Sequence, residues 1–130
     1  MLNIPISPGE FLDKLTILEI KRERMADAAK LVHVRRELEL LHAMWASSCL
    51  ARVEVLTLVT ELKQINETLW EIEDRIRMKE LTETFDKEFI ELARSVYRTN
   101  DRRAAIKRAL NVMLNSELME EKSYDQRPQQ

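Results

Sequence analysis

The sequence has few of the residues that build tight turns, disulfides or aromatic cores. Its 130 residues include 1 Gly, 3 Pro and 1 Cys, and aromatic side chains make up 5%. This scarcity argues against a turn-rich β-sandwich or β-barrel. A single cysteine, Cys49, excludes an intrachain disulfide and a metal site built on paired cysteines. We expect Cys49 to be a small buried residue rather than a reactive thiol.

An excess of one charge and a long apolar run are also missing. The chain carries 21 basic and 23 acidic residues, so no overall field draws it to nucleic acid or to an anionic membrane. No segment approaches the roughly 18 apolar residues of a membrane span, and the first five residues lack the basic start of a signal peptide. We therefore expect a cytoplasmic protein. A composition of 45% hydrophobic and 34% charged residues favours one mostly helical domain.

The strongest local signal marks the start of the first helix. Ser7 and Glu10 have the spacing of a capping box, Pro8 suits the first helical position, and Ile6 with Phe11 suits a hydrophobic staple. Beyond this start, apolar residues point to two nearly opposite sides of the helix, which is typical of a helix enclosed by others. One side holds Phe11, Leu15, Leu18 and Met25, and the other holds Ile17 and Ile20.

Three further helices follow from apolar periodicity. Asp27 can cap a second helix that ends near Ser47, and apolar residues spaced by three and four predict a long coiled-coil-like helix over about residues 52–80. The fourth apolar stripe runs from Phe85 to Met113 and stays in register across Asn100, which leaves open whether helix four is continuous or kinked at Asn100. The predicted fold is an all-α, four-helix, bundle-like protein with a central N-terminal helix.

The predicted domain covers residues 1–124, and residues 125–130 read as a flexible polar tail. A helix over 52–80 would be about 40 Å long, which exceeds what so small a bundle covers. We therefore expect its outer end to project or to meet a partner, and we predict a homodimer.

No residue pattern points firmly to a metal or a cofactor. His33 and His42 are nine residues apart, which separates them on a helix, so we predict no metal site and no cofactor. Three acidic pairs resemble those that hold magnesium in helical pyrophosphohydrolases, but we interpret them as solvated helix faces. They are Glu71 with Asp74, Glu80 with Glu83, and Glu88 with Glu91.

The charges fall into two opposite blocks. Residues 67–91 have a net charge of -5 and residues 94–108 a net charge of +5. Such blocks can pair within a hairpin or between subunits, and the alternative is phosphate or nucleic-acid binding. No aromatic residue interleaves the basic block, so we consider nucleic acid an unlikely partner.

Polar residues at apolar positions indicate where a site could lie. Arg103 falls on the apolar stripe of helix four, where it needs a carboxylate partner, and helix one offers Asp13 or Glu19. Such a pair could fix the packing of the helices or form part of a ligand site. The candidate ligand-binding residues are Asp13, Lys14, Glu19, Lys21, Arg103 and Lys107.

Three segments together resemble a known family. They are SPGEFLDKLTILEIK over 7–21, NDRRAAIK over 100–107 and EEKSY over 120–124. These segments resemble a family of small bacterial α-helical proteins of unknown function, and the resemblance extends over nearly the whole chain. It implies no activity. Relatives near glycosyltransferases would connect the family to cell-surface sugar metabolism by association alone.

Two functions remain open from the sequence. The first is a non-catalytic cytoplasmic interaction or regulatory module with a buried polar cluster between helices one and four. The alternative is a small enzyme or binding protein for an anionic metabolite, with the four basic candidates as anion contacts and Asp13 or Glu19 as general base. A pocket lined by the candidates would favour the alternative, whereas a fully paired cluster would favour the module.

Overall fold

Four α-helices and one 3-10 turn form the described part of the protein. In the computed structural model, which describes residues 1–123, the helices are α1 (Pro8–Arg24), α2 (Ala28–Ala46), α3 (Leu56–Leu81) and α4 (Lys87–Met113). No strand occurs in residues 1–123, so the all-α expectation is confirmed. Tyr124 and the expected tail lie outside the described residues, and the boundary at 124 stays a prediction.

Helix α1 is the central helix, as its two apolar sides predict. It packs against α2 on one side and against α3 and α4 on the other. Burial of apolar surface on both sides is the main force that holds the helices together. The buried apolar core joins all four helices and consists of Leu12, Leu15, Leu18, Val34, Leu38, Leu41, Val55, Leu62, Leu110 and Leu114.

Side-chain caps begin three of the four helices. Ser7 Oγ accepts a hydrogen bond from the Glu10 N–H at 3.2 Å, and Asp27 accepts two from the first turn of α2. Asp86 caps α4 by accepting from the Phe89 N–H at 3.0 Å. Because Asp86 is the N-cap, α4 begins at Lys87. The apolar stripe predicts Phe85 as a residue of this helix, but Phe85 precedes it and is exposed.

Helices α3 and α4 form the longest element, an antiparallel hairpin. Helix α4 is continuous through Asn100, which settles the point that the sequence left open. Helix α3 begins at Leu56 rather than near residue 52, because residues 53–55 form the 3-10 turn. Near the turn of the hairpin, Lys79 Nζ donates to Asp86 Oδ2 at 2.9 Å, which ties the two helices together.

The expectation that Cys49 is buried is wrong. Cys49 is exposed, because it lies in the turn that follows α2 rather than on an apolar helix face. Within residues 1–123, no helix is both long and apolar enough to cross a membrane.

Candidate functional site

A two-pronged ion pair joins α1 to α4 at the centre of the candidate site. Arg103 Nε donates to Asp13 Oδ1 at 2.8 Å, and Arg103 Nη2 donates to Asp13 Oδ2. Asn66 Nδ2, from α3, donates to the same Oδ1 at 3.0 Å. The hydrogen bond to Asp13 raises the pKa of Arg103 above its ordinary value, so the guanidinium stays charged. Of the two carboxylates expected for Arg103, the structure selects Asp13.

One helical turn further along α4, Lys107 faces a group of carboxylates. Its Nζ donates to Glu10 Oε2 at 2.7 Å, and it lies 3.2 Å from Glu120 Oε2 and 3.8 Å from Asp13 Oδ2. Burial lowers the pKa of Lys107, but the hydrogen bond to Glu10 and the charge of Asp13 outweigh it, so the net pKa is raised. Glu10 therefore pairs with α4, and the expectation that its side chain completes a capping box with Ser7 is wrong.

We name this arrangement the polar cluster, which consists of Glu10, Asp13, Asn66, Arg103, Lys107 and Glu120. Asp13 is 2% exposed and Asn66 is 5% exposed, so both groups have left water on folding. Thr16 supports them, because its Oγ1 accepts from Asn66 Nδ2 at 3.1 Å. Among the described residues, every buried side-chain nitrogen and oxygen has a hydrogen-bond partner. The polar cluster is thus satisfied from within the chain.

Both cations of the polar cluster are already paired with carboxylates of the same chain. Three carboxylates, of Glu10, Asp13 and Glu120, face two cations, of Arg103 and Lys107. An anionic ligand would have to compete with these carboxylates for both cations. A general base needs a free lone pair close to its substrate, whereas three donors from Arg103 and Asn66 take most of the acceptor sites of the buried Asp13 carboxylate.

The remaining candidate residues lie away from the polar cluster. Lys14 Nζ is 3.3 Å from Glu37 of α2, and both side chains are exposed. Glu19 lies 3.2 Å from His42 Nε2 and 3.4 Å from Lys63 Nζ, so it joins α1 to α2 and α3. Lys21 lies in the last turn of α1 and makes no ion pair with another described residue. The structure therefore brings together Asp13, Arg103 and Lys107 only.

Several members of the polar cluster escaped the sequence reasoning. Glu10 has the spacing of a capping residue, and Glu120 lies beyond the last periodic helix. Asn66 had a usable signal, since it lies four residues after Leu62 and therefore on the flank of the apolar stripe. Gly9 had another, because the only glycine of the chain lies inside a helix, where it indicates a close approach of another backbone.

Two shallow grooves lie elsewhere on the surface. One, of about 520 Å³, lies between α3 and α4 and includes Glu61 and Arg102. The other, of about 560 Å³, lies between the N-terminal segment and the chain after α4, and includes Trp45 and Leu114. Neither is lined by Asp13, Arg103 or Lys107. Within the described part of the chain, no group of three or more His, Cys, Asp or Glu residues is placed to hold a metal ion.

The end of the α3–α4 hairpin exposes apolar side chains. We name residues 72–92 the hairpin tip. Phe85 and Phe89 pack edge to face there, with ring centroids 5.2 Å apart. Exposed large apolar side chains at the tip are Met78 (61%), Leu81 (78%), Phe85 (56%) and Ile90 (54%). Other parts of the surface expose large apolar side chains as well, and a contiguous group of them is typical of a surface that meets a partner.

Comparison with known proteins identifies a family but no activity. No curated protein and no solved structure is significantly similar to the chain. One family model, described as a family of unknown function (DUF6165), matches residues 2–129. That match includes α1, the whole polar cluster and the hairpin tip. The chain therefore belongs to this family of unknown function, as the resemblance of its two terminal segments and its Asn100–Lys107 segment predicts.

Proposed function

We propose that this protein is a non-catalytic interaction module of the cytoplasm, which acts by binding protein through the hairpin tip. The observation that carries the proposal is the exposure of Leu81, Phe85 and Ile90 at the tip. Protein-binding surfaces take much of their affinity from a few large apolar side chains that lose contact with water on binding. In this function the polar cluster has a structural role: its ion pairs hold α1 against α4 and so stabilise the position of the hairpin.

The state of the polar cluster supports a module over a metabolite-binding protein. Its two cations already face three carboxylates of the same chain, and Asp13 is nearly fully buried. Removal of these carboxylates from the cations would leave buried charges unpaired, at a cost of about 3–5 kcal/mol. A site evolved for an anion would instead leave its cations accessible.

A panel of anions tests the proposal against this alternative. Thermal unfolding is followed with inorganic phosphate, nucleoside diphosphates, nucleotide sugars and dicarboxylates, each at millimolar concentration. A bound ligand stabilises the native state by mass action, whereas a module without an anion site shows no shift of melting temperature.

Lys107→Met and Lys14→Met are the matched pair of variants for this panel. Each removes one lysine charge, Lys107 from α4 and Lys14 from α1, but only Lys107 belongs to the polar cluster. A ligand-induced rise of more than about 2 °C that is lost in Lys107→Met and kept in Lys14→Met would contradict the module and support a binding protein. We expect no anion to change the melting temperature of the native protein or of either variant. We also expect the protein to form a complex with a protein partner, and Ile90→Glu to abolish that complex.

A further inference from the structure

The chain before α1 exposes large apolar side chains at the end of the molecule opposite the hairpin tip. We name residues 1–4 the N-terminal arm. Met1 is 106% exposed, Leu2 is 93% exposed and Ile4 is 74% exposed. Within residues 1–123, the arm makes no hydrogen bond or ion pair. Because apolar surface in water is unfavourable, the arm gains free energy from any apolar surface that covers it.

An apolar groove lies next to the root of the arm. It is the groove of about 560 Å³ described above, and we name it the N-terminal groove. Pro5 and Ile6 line one side of it, and residues 114–118 line the other. The rings of Phe11 and Trp45 lie between, stacked with their centroids 6.0 Å apart. Apolar and aromatic linings of this kind are typical of grooves that bind an apolar segment.

Two prolines direct the arm away from its own groove. Proline fixes its own φ and disfavours helical backbone at the residue before it, so Pro5 and Pro8 hold Ile4 and Ser7 extended. Ser7 accordingly has φ -71° and ψ 152°. The arm residues do not line the groove, although Pro5 and Ile6 directly after them do. The arm therefore points away from its own molecule and is available to another.

The arm and the groove have matching chemistry. The arm has no charged side chain, and Glu117 is the one charged residue among the described residues that line the groove. An apolar segment can enter such a groove without burial of an unpaired charge, which would be costly. Side chains two residues apart point to the same side of an extended segment, so Leu2 and Ile4 can enter together.

We infer that the N-terminal arm of one copy of this chain lies in the N-terminal groove of a second copy, and that the exchange is reciprocal about a twofold axis. Exchange of an identical segment between two copies is a low-cost route to a dimer, and a twofold axis closes the assembly at two chains. Leu2 and Ile4 of each copy then lose contact with water. The contact leaves the hairpin tip free, so the inference goes beyond the proposed function.

The area that this exchange buries suits a weak dimer. Burial of one Leu, Ile or Met side chain removes roughly 100 Å² of apolar surface from water. Met1, Leu2 and Ile4 of both arms, together with a similar area of the grooves that they cover, therefore bury about 1,200 Å². Stable interfaces between proteins begin at about this size. We therefore expect a dimer that dissociates in the micromolar range.

The first test is the mass in solution. Light scattering and sedimentation are measured from about 1 to 200 µM, with Ile4→Glu as the disrupting variant and Val32→Glu as its control. Val32 is similarly exposed, at 62%, but lies on α2. We expect a dimer of the 15.4 kDa chain, a dissociation constant raised about tenfold or more by Ile4→Glu, and no change with Val32→Glu. A monomer at about 200 µM, or equal effects of the two variants, would overturn the inference.

The second test supplies the arm as a separate molecule. A synthetic peptide with the sequence of residues 1–6 is added to the full chain that carries Leu2→Glu and Ile4→Glu, whose own arm cannot occupy a groove. Trp45 lines the groove, so the bound peptide should remove water from its indole and shift the tryptophan emission to shorter wavelength. The same peptide with both substitutions is the control. Identical responses to the two peptides would contradict binding of the arm in the groove.

The third test mixes a defective arm with a defective groove. The arm variant carries Leu2→Glu and Ile4→Glu, and the groove variant carries Met44→Lys and Leu118→Lys, both of which replace partly exposed side chains of the groove. Each variant alone has no intact contact and should be monomeric. A mixture restores one native arm in one native groove, so we expect mixed dimers, a gain of assembly that misfolding cannot imitate. Absence of mixed dimers where the native protein dimerises would show that the exchange is wrong.

Ile90→Glu separates this contact from the hairpin tip. The inference predicts that a chain with this substitution still dimerises, whereas the proposed function predicts that it loses its protein partner. A dimer that is lost with Ile90→Glu and kept with Ile4→Glu would place the contact between copies at the hairpin tip and overturn the inference. Circular dichroism of each variant separates loss of the dimer from loss of the fold.

Discussion

The backbone N–H of Gly9 donates to the side-chain oxygen of Asn111 at 2.7 Å, so the first turn of α1 begins in direct contact with the last turns of α4. A Cβ atom on Gly9 would lie 2.5 Å from the carbonyl oxygen of Lys107 and 2.9 Å from Asn111 Oδ1. The two helices can approach this closely only because residue 9 has no side chain. Glycine at this position therefore sets the distance across which Arg103 and Lys107 reach α1.

Gly9→Ala is expected to destabilise the protein. In an open helix this change stabilises by roughly 0.5–1 kcal/mol, but here the new Cβ forces α1 away from α4, and overpacking costs about 1–3 kcal/mol. Urea unfolding followed by circular dichroism measures the free energy of unfolding. A variant as stable as the native protein would mean that the close approach at Gly9 is absent in solution.

Arg103→Met removes the closer of the two cations that face the buried Asp13 carboxylate and leaves only Lys107, 3.8 Å away. We expect a loss of about 3–5 kcal/mol in the free energy of unfolding, because an uncompensated buried charge is costly. Arg102→Met is the matched control, since the adjacent Arg102 is exposed and makes no ion pair within residues 1–123. It should change stability by no more than about 0.5 kcal/mol.

The double variant Arg103→Met with Asp13→Asn tests the cause of that loss. With the carboxylate made neutral, the residue can still accept from Asn66 Nδ2, and much of the stability is expected to return. Additive effects of the two substitutions would contradict a direct pairing of Arg103 with Asp13.

Lys107→Met and Lys14→Met should differ in stability, although both remove a lysine from an ion pair. Lys107 is buried and faces Glu10, Asp13 and Glu120, so its replacement is expected to cost about 1–3 kcal/mol. Lys14 pairs with Glu37 on the surface, and its replacement should cost about 1 kcal/mol or less. Equal losses, measured by urea unfolding of both variants, would show that burial of Lys107 does not strengthen its interactions.

Alkaline pH provides an independent test of Lys107. The pKa of Lys107 in the folded protein is raised above the ordinary 10.5, so the folded protein binds this proton more tightly than the unfolded chain does. The resulting stabilisation is fully present below pH 10.5 and is lost as the pH rises through the higher pKa of the folded state. The stability difference between the native protein and Lys107→Met should therefore shrink above this pH. A difference that stays constant to pH 12 would contradict the raised pKa.

The helices follow closely from local signals in the sequence. Ser7 and Asp27 cap α1 and α2 as predicted, and the stripe through Asn100 belongs to one helix. Such signals involve residues only a few positions apart, so they can be read without knowledge of any tertiary contact. Local signals gave a wrong prediction at two positions. At residue 85 the apolar stripe predicts helix, whereas the Asp86 cap starts the helix two residues later. Glu10 has the spacing of a capping residue, but its side chain pairs with Lys107 of α4.

The pairing of side chains across helices could not be read in the same way. Periodicity placed Arg103 on an inward face, yet it did not distinguish Asp13 from Glu19, which lie less than two turns apart on α1. The close approach at Gly9 sets the axial position of α1 along α4, and in this position Asp13 lies opposite Arg103. Glu19 then lies closer to Lys63 of α3 and His42 of α2.

Apolar periodicity and capping residues thus specify four helices and an enclosed α1, because each helix must bury its apolar sides and satisfy its own first turn. Whether the candidate residues form one site depends on contacts between positions about 90 residues apart, such as Asp13 and Arg103. Helix rotation and axial offset decide those contacts, and a shift of one residue turns a side chain by about 100°. Packing of α1 against α4 therefore selects Asp13, Arg103 and Lys107 from the six candidates, and it leaves Lys14, Glu19 and Lys21 to other surfaces.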